Sequence, residues 1–198
     1  MSLGIPITLG APLAVVMVGA AVAVGQFGLP FTDEPWLARA RAGHVEWVKT
    51  SRIATGRIRD AGDYLTGLRA LGPRPHLPDL SANRLRIKRV TVIPAAGGQP
   101  AAIHVGYTGT RGCRVSLWIS RTGQNGSGLL VKHRYGNSTV SWHTGGLRYV
   151  LVASSMKQQR FDLVASVSYE TTVARSTPDE GTRAALALSR AMSAPCKV

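Results

Sequence analysis

The stretch Trp142-His-Thr-Gly-Gly-Leu-Arg-Tyr-Val-Leu-Val152 decides the fold class of this chain. Two segments that are rich in Trp, Tyr, Val and Leu flank the pair Gly145-Gly146. A Gly-Gly pair suits the two-residue turn of a β-hairpin, because that turn needs residues that accept positive φ. The stretch therefore predicts two adjacent antiparallel strands.

The same kind of segment recurs upstream of this hairpin. Each one is short, rich in β-branched, aliphatic or aromatic residues, and bounded by turn residues, as is typical of strands. We predict strands over Arg84–Pro94, Ala101–Tyr107, Arg114–Ser120, Leu129–Arg134, Thr139–Thr144 and Leu147–Ser154. The connections are too short for crossovers, so we expect a largely antiparallel sheet of about five to six strands.

Helical patterns lie on both sides of the predicted strands. One helix begins at Thr32–Pro35 and another runs from about Asp60 to Leu71, where Gly72-Pro73 ends it. A third is predicted over Lys157–Tyr169. The last begins at the capping box Thr177-Pro-Asp-Glu180, with Pro178 in the first helical position, and runs to about Ser193. The fold class is therefore α+β.

The first helix carries one apolar stripe, formed by Leu37, Ala40, His44, Trp47 and Val48. Packing against the rest of the domain is one interpretation of this stripe. The alternatives are that it lies at a membrane interface or pairs with a second copy.

Residues 12–31 contain no charged side chain and match the length of a membrane-spanning helix, which needs about 20 apolar residues. We predict one transmembrane helix here; a cleaved signal peptide and a buried helix are the alternatives. Arg39 and Arg41 follow this stretch and no basic residue precedes it, so the positive-inside rule favours a cytoplasmic C-terminal part.

These predictions divide the chain into five parts. They are a short leader (1–11), the transmembrane helix (12–31), juxtamembrane helices (32–72), a basic α+β domain (73–173) and a C-terminal helix or tail (174–198). The predicted fold is thus an N-terminal transmembrane helix followed by a largely antiparallel sheet flanked by helices.

The net charge of +14 is concentrated in the predicted sheet. Between Leu71 and Arg160 the chain has 13 basic residues and one acid, Asp79. Such a surface attracts anionic lipid, acidic proteins or nucleic acid, and nucleic acid is disfavoured because the aromatic residues are expected in the core. The candidate lipid- or partner-binding residues are Arg84, Arg86, Lys88 and Arg89. Alternation places Arg84, Arg86 and Lys88 on one face, and a plain solvated face is the alternative interpretation.

The sequence offers little for catalysis. General acid–base chemistry needs carboxylates or polarised histidines in a pocket, whereas Asp79 is placed to bond its own backbone at a turn. The histidines are scattered over different predicted elements, and Cys113 and Cys196 show no metal-ligand spacing. We therefore predict no enzymatic activity, no cofactor and no metal. The two cysteines form either one disulfide or two free thiols.

Several short motifs now occur in a familiar order. A Tyr64-Leu65 to Leu71-Gly72 segment precedes Leu77-Pro-Asp-Leu-Ser81, and the strand Gly112-Cys-Arg-Val-Ser-Leu-Trp-Ile119 follows. The hairpin of residues 142–152 and the helical Arg160-Phe-Asp-Leu-Val-Ala165 complete the series. Over His44–Tyr169 this order resembles the extracytoplasmic part of proteobacterial transmembrane anti-sigma factors.

The resemblance implies a single-pass regulator of the inner membrane, whose periplasmic domain senses or relays an envelope signal. Members of that family bind a sigma factor through an N-terminal cytoplasmic domain, often with a zinc motif, and no such motif occurs in this sequence. A sigma factor is therefore an expected partner only if a cytoplasmic domain precedes these residues. The resemblance also places the domain outside, against the charge rule. The alternative function is a membrane-anchored scaffold whose basic domain binds anionic lipid or an acidic partner.

Overall fold

The computed structural model describes residues 34–51, 69, 71–72, 75–110, 112–128, 131–135 and 137–196. These residues form six strands and three α-helices. The strands are β1 (Leu85–Ile93), β2 (Ala102–Gly109), β3 (Arg114–Arg121), β4 (Val131–Tyr135), β5 (Asn137–Thr144) and β6 (Leu147–Ser154). The helices are α1 (Pro35–Ser51), α2 (Gln158–Ala174) and α3 (Glu180–Ala191), with a short 3₁₀ helix at Ser81–Asn83.

The six strands form one sheet in the order β1-β2-β3-β6-β5-β4, and every neighbouring pair is antiparallel. The β5–β6 hairpin turns at Gly145 and Gly146, whose φ values are 57° and 75°. Positive φ at both turn positions is the geometry that the Gly-Gly pair predicted. The sheet is therefore the part of the predicted fold that the structure reproduces.

The first element of the predicted fold class needs correction. None of the helices among the described residues is long and apolar enough to cross a membrane. The predicted transmembrane helix at 12–31 lies outside the described residues, as does most of the helix predicted over Asp60–Leu71. The fold that the structure supports is α+β, with a six-stranded antiparallel sheet and three helices.

Helices cover both faces of the sheet. The face that we call the core face packs against α2 and one side of α3, and it buries large apolar side chains: Ile103, Val105, Tyr107, Leu117, Ile119, Tyr149, Leu151, Phe161 and Leu186. The opposite face, the α1 face, carries a smaller apolar cluster in which Leu37 and Ala40 of α1 meet Trp118, Val150 and Val152. The sheet is therefore the middle layer of three.

The start of α3 differs from the prediction by two residues. Asp179 caps the helix, with its side chain accepting a hydrogen bond of 2.7 Å from the Thr182 backbone N–H, and Glu180 is the first helical residue. The capping box placed the cap at Thr177 instead. Both residue types satisfy the free N–H groups of a first turn, and here the acidic one does so.

Candidate functional site

The predicted basic residues lie on β1, which is an edge strand of the sheet. Arg84 immediately precedes the strand in the left-handed region, with φ 54°, and it is exposed together with Arg86 and Lys88. Among the described residues these three side chains make no hydrogen bond or salt bridge. They form what we call the basic edge of the domain.

A β-bulge changes the facing of these residues from the one predicted. The register with β2 shifts between Ile87 and Arg89, so that Lys88 is the extra residue. Arg86 pairs with Thr108 and Arg89 with Gly106, which places both on the α1 face. A bulge inserts one residue against the partner strand and so breaks the alternation on which the predicted grouping of Arg84, Arg86 and Lys88 depended.

Arg89 differs from the other three candidates because α1 engages it. It is half-buried, and its guanidinium donates to the Thr91 hydroxyl at 2.9 Å and to the Thr50 hydroxyl at 3.4 Å. Thr50 lies in the last turn of α1. Arg89 therefore belongs to the contact between helix and sheet, and of the four candidates only Arg84, Arg86 and Lys88 form the basic edge.

The contact between α1 and the sheet contains a buried chain of polar side chains. The Nδ1 atom of His44 lies 2.8 Å from the Ser116 hydroxyl, and Nε2 of His104 lies 2.8 Å from the same oxygen. The other ring nitrogen of His44 is hydrogen-bonded to Ser154. We call these four residues the histidine cluster; it joins α1 to β2, β3 and β6.

Helical spacing and small residues explain why α1 reaches this position. Leu37, Ala40, His44 and Trp47 are buried on one face of α1, as the predicted stripe required for packing onto the domain. Glycines allow the close approach. A Cβ atom at Gly106 would lie 2.7 Å from the Trp47 ring, and one at Gly43 would lie 2.6 Å from the Trp118 ring.

Burial strongly affects both imidazoles. It lowers the pKa of His44 from its ordinary value of 6.5 to about 4. It also lowers the pKa of His104 to about 4, with smaller contributions from the positive charge of Arg89 and from His44. Both rings are therefore neutral at pH 7, and each can donate through one nitrogen and accept through the other.

The histidine cluster resembles a hydrolase site only in its residue types. Serine nucleophiles need a base oriented by a third group and a surface that substrate can reach. Ser116 is 1% exposed and His44 is 0% exposed, and the pKa of neither histidine is influenced by any described carboxylate. The geometry therefore suits a structural contact between helix and sheet better than it suits covalent chemistry.

A second buried polar group lies on the core-face side of the sheet. Arg160 on α2 is 2% exposed and donates to the Asn83 side-chain oxygen at 2.9 Å and to the Cys113 sulfur at 3.2 Å. Asn83 in turn donates to the Leu186 carbonyl of α3 at 2.8 Å. Cys113 forms a disulfide with Cys196, which resolves the alternative that the sequence left open.

The sequence predicted neither the histidine cluster nor the contact between Arg160 and Asn83. His44 and His104 are far apart in the chain and meet only because β2 and α1 are neighbours in space. The described residues contain no group of three or more His, Cys, Asp or Glu side chains that could hold a metal ion. The prediction that the protein needs no metal or cofactor remains a prediction.

Comparison of the chain with models of known protein families, with curated protein sequences and with solved structures gave no significant match. The functional interpretation therefore rests on the geometry of the described residues. The similarity to anti-sigma factors remains a prediction that these comparisons do not test.

Proposed function

We propose that this domain is the sensing and relay part of an extracytoplasmic regulatory system of the anti-sigma-factor type, and that it acts by binding and conformational change, without catalysis. The observation that carries the proposal is the way α1 lies on the sheet. α1 is held through the histidine cluster and a small apolar cluster, whereas α2 is held through the large core.

Such a contact suits a relay because it can open without unfolding the whole domain. Elements with few buried apolar contacts open at lower free energy than core elements. The buried Trp47 indole N–H has no hydrogen-bond partner among the described residues, and an unsatisfied buried donor costs roughly 1–3 kcal/mol.

The disulfide supports the proposed location. Cys113 and Cys196 are both almost fully buried and are joined, and structural disulfides persist in oxidising compartments such as the periplasm. A reporter enzyme that is active only in the periplasm, fused after Val198, tests this location. Activity is expected from the fusion; an inactive reporter beside an active cytoplasmic one would contradict it.

The regulatory role is tested by recovering partners of the full-length protein from its native cells. We expect a sigma factor, or a protein that regulates one, to be recovered with the wild-type chain. Gly43→Ala, which forces the Trp118 ring away from α1, is expected to change the amount recovered; Gly123→Ala, whose added Cβ meets no atom within 4 Å, is the control. If the full-length protein is stable but no such partner is recovered from either the membrane or the soluble fraction, the proposal is contradicted.

The basic edge favours a second function, in which the domain binds a surface of anionic lipid. Arg84, Arg86 and Lys88 are exposed at one edge of the sheet and have no hydrogen-bond or salt-bridge partner among the described residues. Each cation near an anionic leaflet is worth about 1 kcal/mol. The same cations also protect an exposed edge strand from pairing with another chain. Neither lipid binding nor edge protection by these cations depends on the relay function proposed for α1.

Sedimentation with vesicles tests this second function. Wild-type protein is compared with the triple variant Arg84→Gln, Arg86→Gln, Lys88→Gln on phosphatidylglycerol and on phosphatidylcholine vesicles. We expect the variant to lose roughly 100-fold in affinity for the anionic vesicles and nothing for the neutral ones. Lys157→Gln, at an exposed position on another element, is the control. Equal binding by variant and wild type would exclude the basic edge as a lipid site, and an acidic protein would then be the remaining partner.

A further inference from the structure

We propose that protonation of His44 and His104 releases α1 from the sheet, so that the signal received by this domain is acidification. The proposal rests on the proposed relay function, since it names the stimulus that would move α1. It also stands as a property of the isolated protein, which can be measured without any partner.

The first step of the argument is that both imidazoles lie at the contact that would have to open. His44 comes from α1, and its two ring nitrogens bond to Ser116 on β3 and Ser154 on β6. His104 comes from β2, and it contacts the Trp47 ring of α1 with centroids 6.4 Å apart. Ser116 bonds both histidines, so the two titrating groups share one oxygen atom.

The second step is that none of the described residues offers a carboxylate to compensate a positive charge on either histidine. The charged groups that the structure places near the pair are cations: Arg89 of β1 lowers the pKa of His104, and Arg114 of β3 pairs with Ser154 of β6. From β6 the pair meets the Ser154 hydroxyl, and from α1 a further cation, Arg39, lies over the Trp118 ring that packs against His104. No described carboxylate contributes to either pKa. Two imidazolium ions there would be buried beside other cations.

The third step is that α1 is the element whose departure admits water. The histidine cluster lies between α1 and the sheet, so hydration of either ring requires these two layers to separate. α2 packs on the opposite face of the sheet through Phe161, Val164 and Ala165, away from the histidines. Opening at the α1 face therefore leaves the core face intact, as expected for a local rather than a global transition.

The sign of the effect follows from the directions of the shifts. Docked, each histidine has a pKa of about 4, and released, each returns toward its ordinary value of 6.5. The docked form is therefore fully favoured above pH 6.5 and loses stability as the pH falls toward 4. Within this window the ratio of released to docked protein rises about tenfold per pH unit for each histidine, and so about 100-fold for both. Below pH 4 the ratio levels off.

Hydrogen exchange on the full-length protein tests this inference directly. Exchange times are scaled for the intrinsic effect of pH, and peptides from α1 are compared with peptides from α2 at pH values from 7.5 to 4. α2 contains no histidine and is the internal control. We expect protection of α1 to fall steeply with pH while protection of α2 is constant. Unchanged protection of α1, or loss of both helices together, would overturn the proposal.

Two variants identify the groups that titrate. His44→Gln combined with His104→Gln keeps hydrogen-bonding side chains but removes both titrations, and we expect the protection of α1 to become independent of pH in this range. His76→Gln is the control, because His76 bonds the Ser176 carbonyl far from α1. Wild-type pH dependence in the double variant would overturn the proposal.

If the double variant does not fold, His104→Gln alone and NMR of the wild type keep the proposal testable. In the single variant, the ratio of released to docked protein should rise about tenfold per pH unit in place of 100-fold. In the wild type, the two imidazoles should titrate together with the loss of α1 protection. Titration of either ring near pH 6.5 with α1 still protected would refute the mechanism. If α1 responds to pH but no regulatory partner is recovered from cells, only the proposed relay function is contradicted, and the pH mechanism stands.

Discussion

The two faces of the sheet are built from different chemistry. The core face buries Tyr107, Leu117 and Leu151 under α2, and the Trp142 ring stacks on Tyr149 there with centroids 5.3 Å apart. The α1 face instead buries two histidines and Ser116, with Ser154 half-buried beside them, under a helix that reaches them because of Gly43 and Gly106. The core face thus depends on a large apolar area, and the α1 face on a smaller apolar cluster together with neutral imidazoles.

This difference would let one small domain be stable and also respond to pH as proposed above. Apolar burial contributes at any pH, at about 25 cal/mol per Å² of buried surface. A buried hydrogen-bonded histidine contributes only while it is neutral, because burial penalises the charged form. The sheet separates these two kinds of contact, so that loss of one helix does not require loss of the other.

The largest effect is expected from the core face. Phe161→Ala removes a ring that is 1% exposed between α2 and the sheet, and such truncations cost about 3–5 kcal/mol. Because the whole fold depends on this core, α1 and α2 should lose protection together in this variant. Urea unfolding followed by circular dichroism measures the loss. A change below about 1 kcal/mol would contradict the assignment of this face as the main core.

The second-largest loss of stability is expected from removal of the disulfide. Cys113 and Cys196 are 83 residues apart, and opening a loop of this size by Cys113→Ala with Cys196→Ala is expected to cost about 2–4 kcal/mol. The same loss should follow when the wild type is treated with a dithiol reductant under mild denaturant. The pH response of α1 should be retained, since the bond lies on the core side of the sheet. A disulfide variant as stable as the wild type would contradict a structural role.

Gly43→Ala separates the two faces more sharply. A free helix gains about 1 kcal/mol from this change, because alanine is the better helix former. A docked α1 should instead lose about 1–3 kcal/mol, because the new Cβ would lie 2.6 Å from Trp118. The sign of the change in the stability of α1 therefore shows whether α1 packs against the sheet.

Hydrogen exchange provides the measurement for Gly43→Ala, with faster exchange expected in α1 alone. Gly181→Ala is the matched control, because Gly181 also lies in a helix and its added Cβ would meet only Asp179, at 3.4 Å. Stabilisation by Gly43→Ala equal to that of the control would mean that α1 does not pack on Trp118.

The sequence predicted most where local pattern and tertiary structure agree. The range of β6, the Gly-Gly hairpin and the buried stripe of α1 all follow from residue order alone. α2 was predicted to end near Tyr169 but continues to Ala174. Thr171 and Thr172 are poor helix formers, yet the Thr172 hydroxyl accepts a hydrogen bond of 2.8 Å from the Trp142 indole, a contact that only the fold supplies.

The candidate site was harder to predict because it depends on contacts between elements that are distant in the chain. Alternation along β1 assumed a regular strand, and the bulge at Lys88 exists only relative to β2. The histidine cluster needs α1 to cross three strands at one register, which no spacing in the sequence encodes. The basic residues were found because exposed charge is a local property; the histidines were missed as a pair because burial is not.

The smallest effect is expected at the basic edge, and it distinguishes two parts of β1. Arg86→Gln with Lys88→Gln should change the free energy of unfolding by no more than about 0.5 kcal/mol, because both side chains are exposed and bond to none of the described residues. Arg89→Gln, on the same strand, should cost about 0.5–1.5 kcal/mol, because it removes the bonds to Thr91 and Thr50. Parallel urea titrations decide the comparison. An equal loss in both variants would mean that α1 is supported by the whole strand, and the division between a free edge and a helix contact would be wrong.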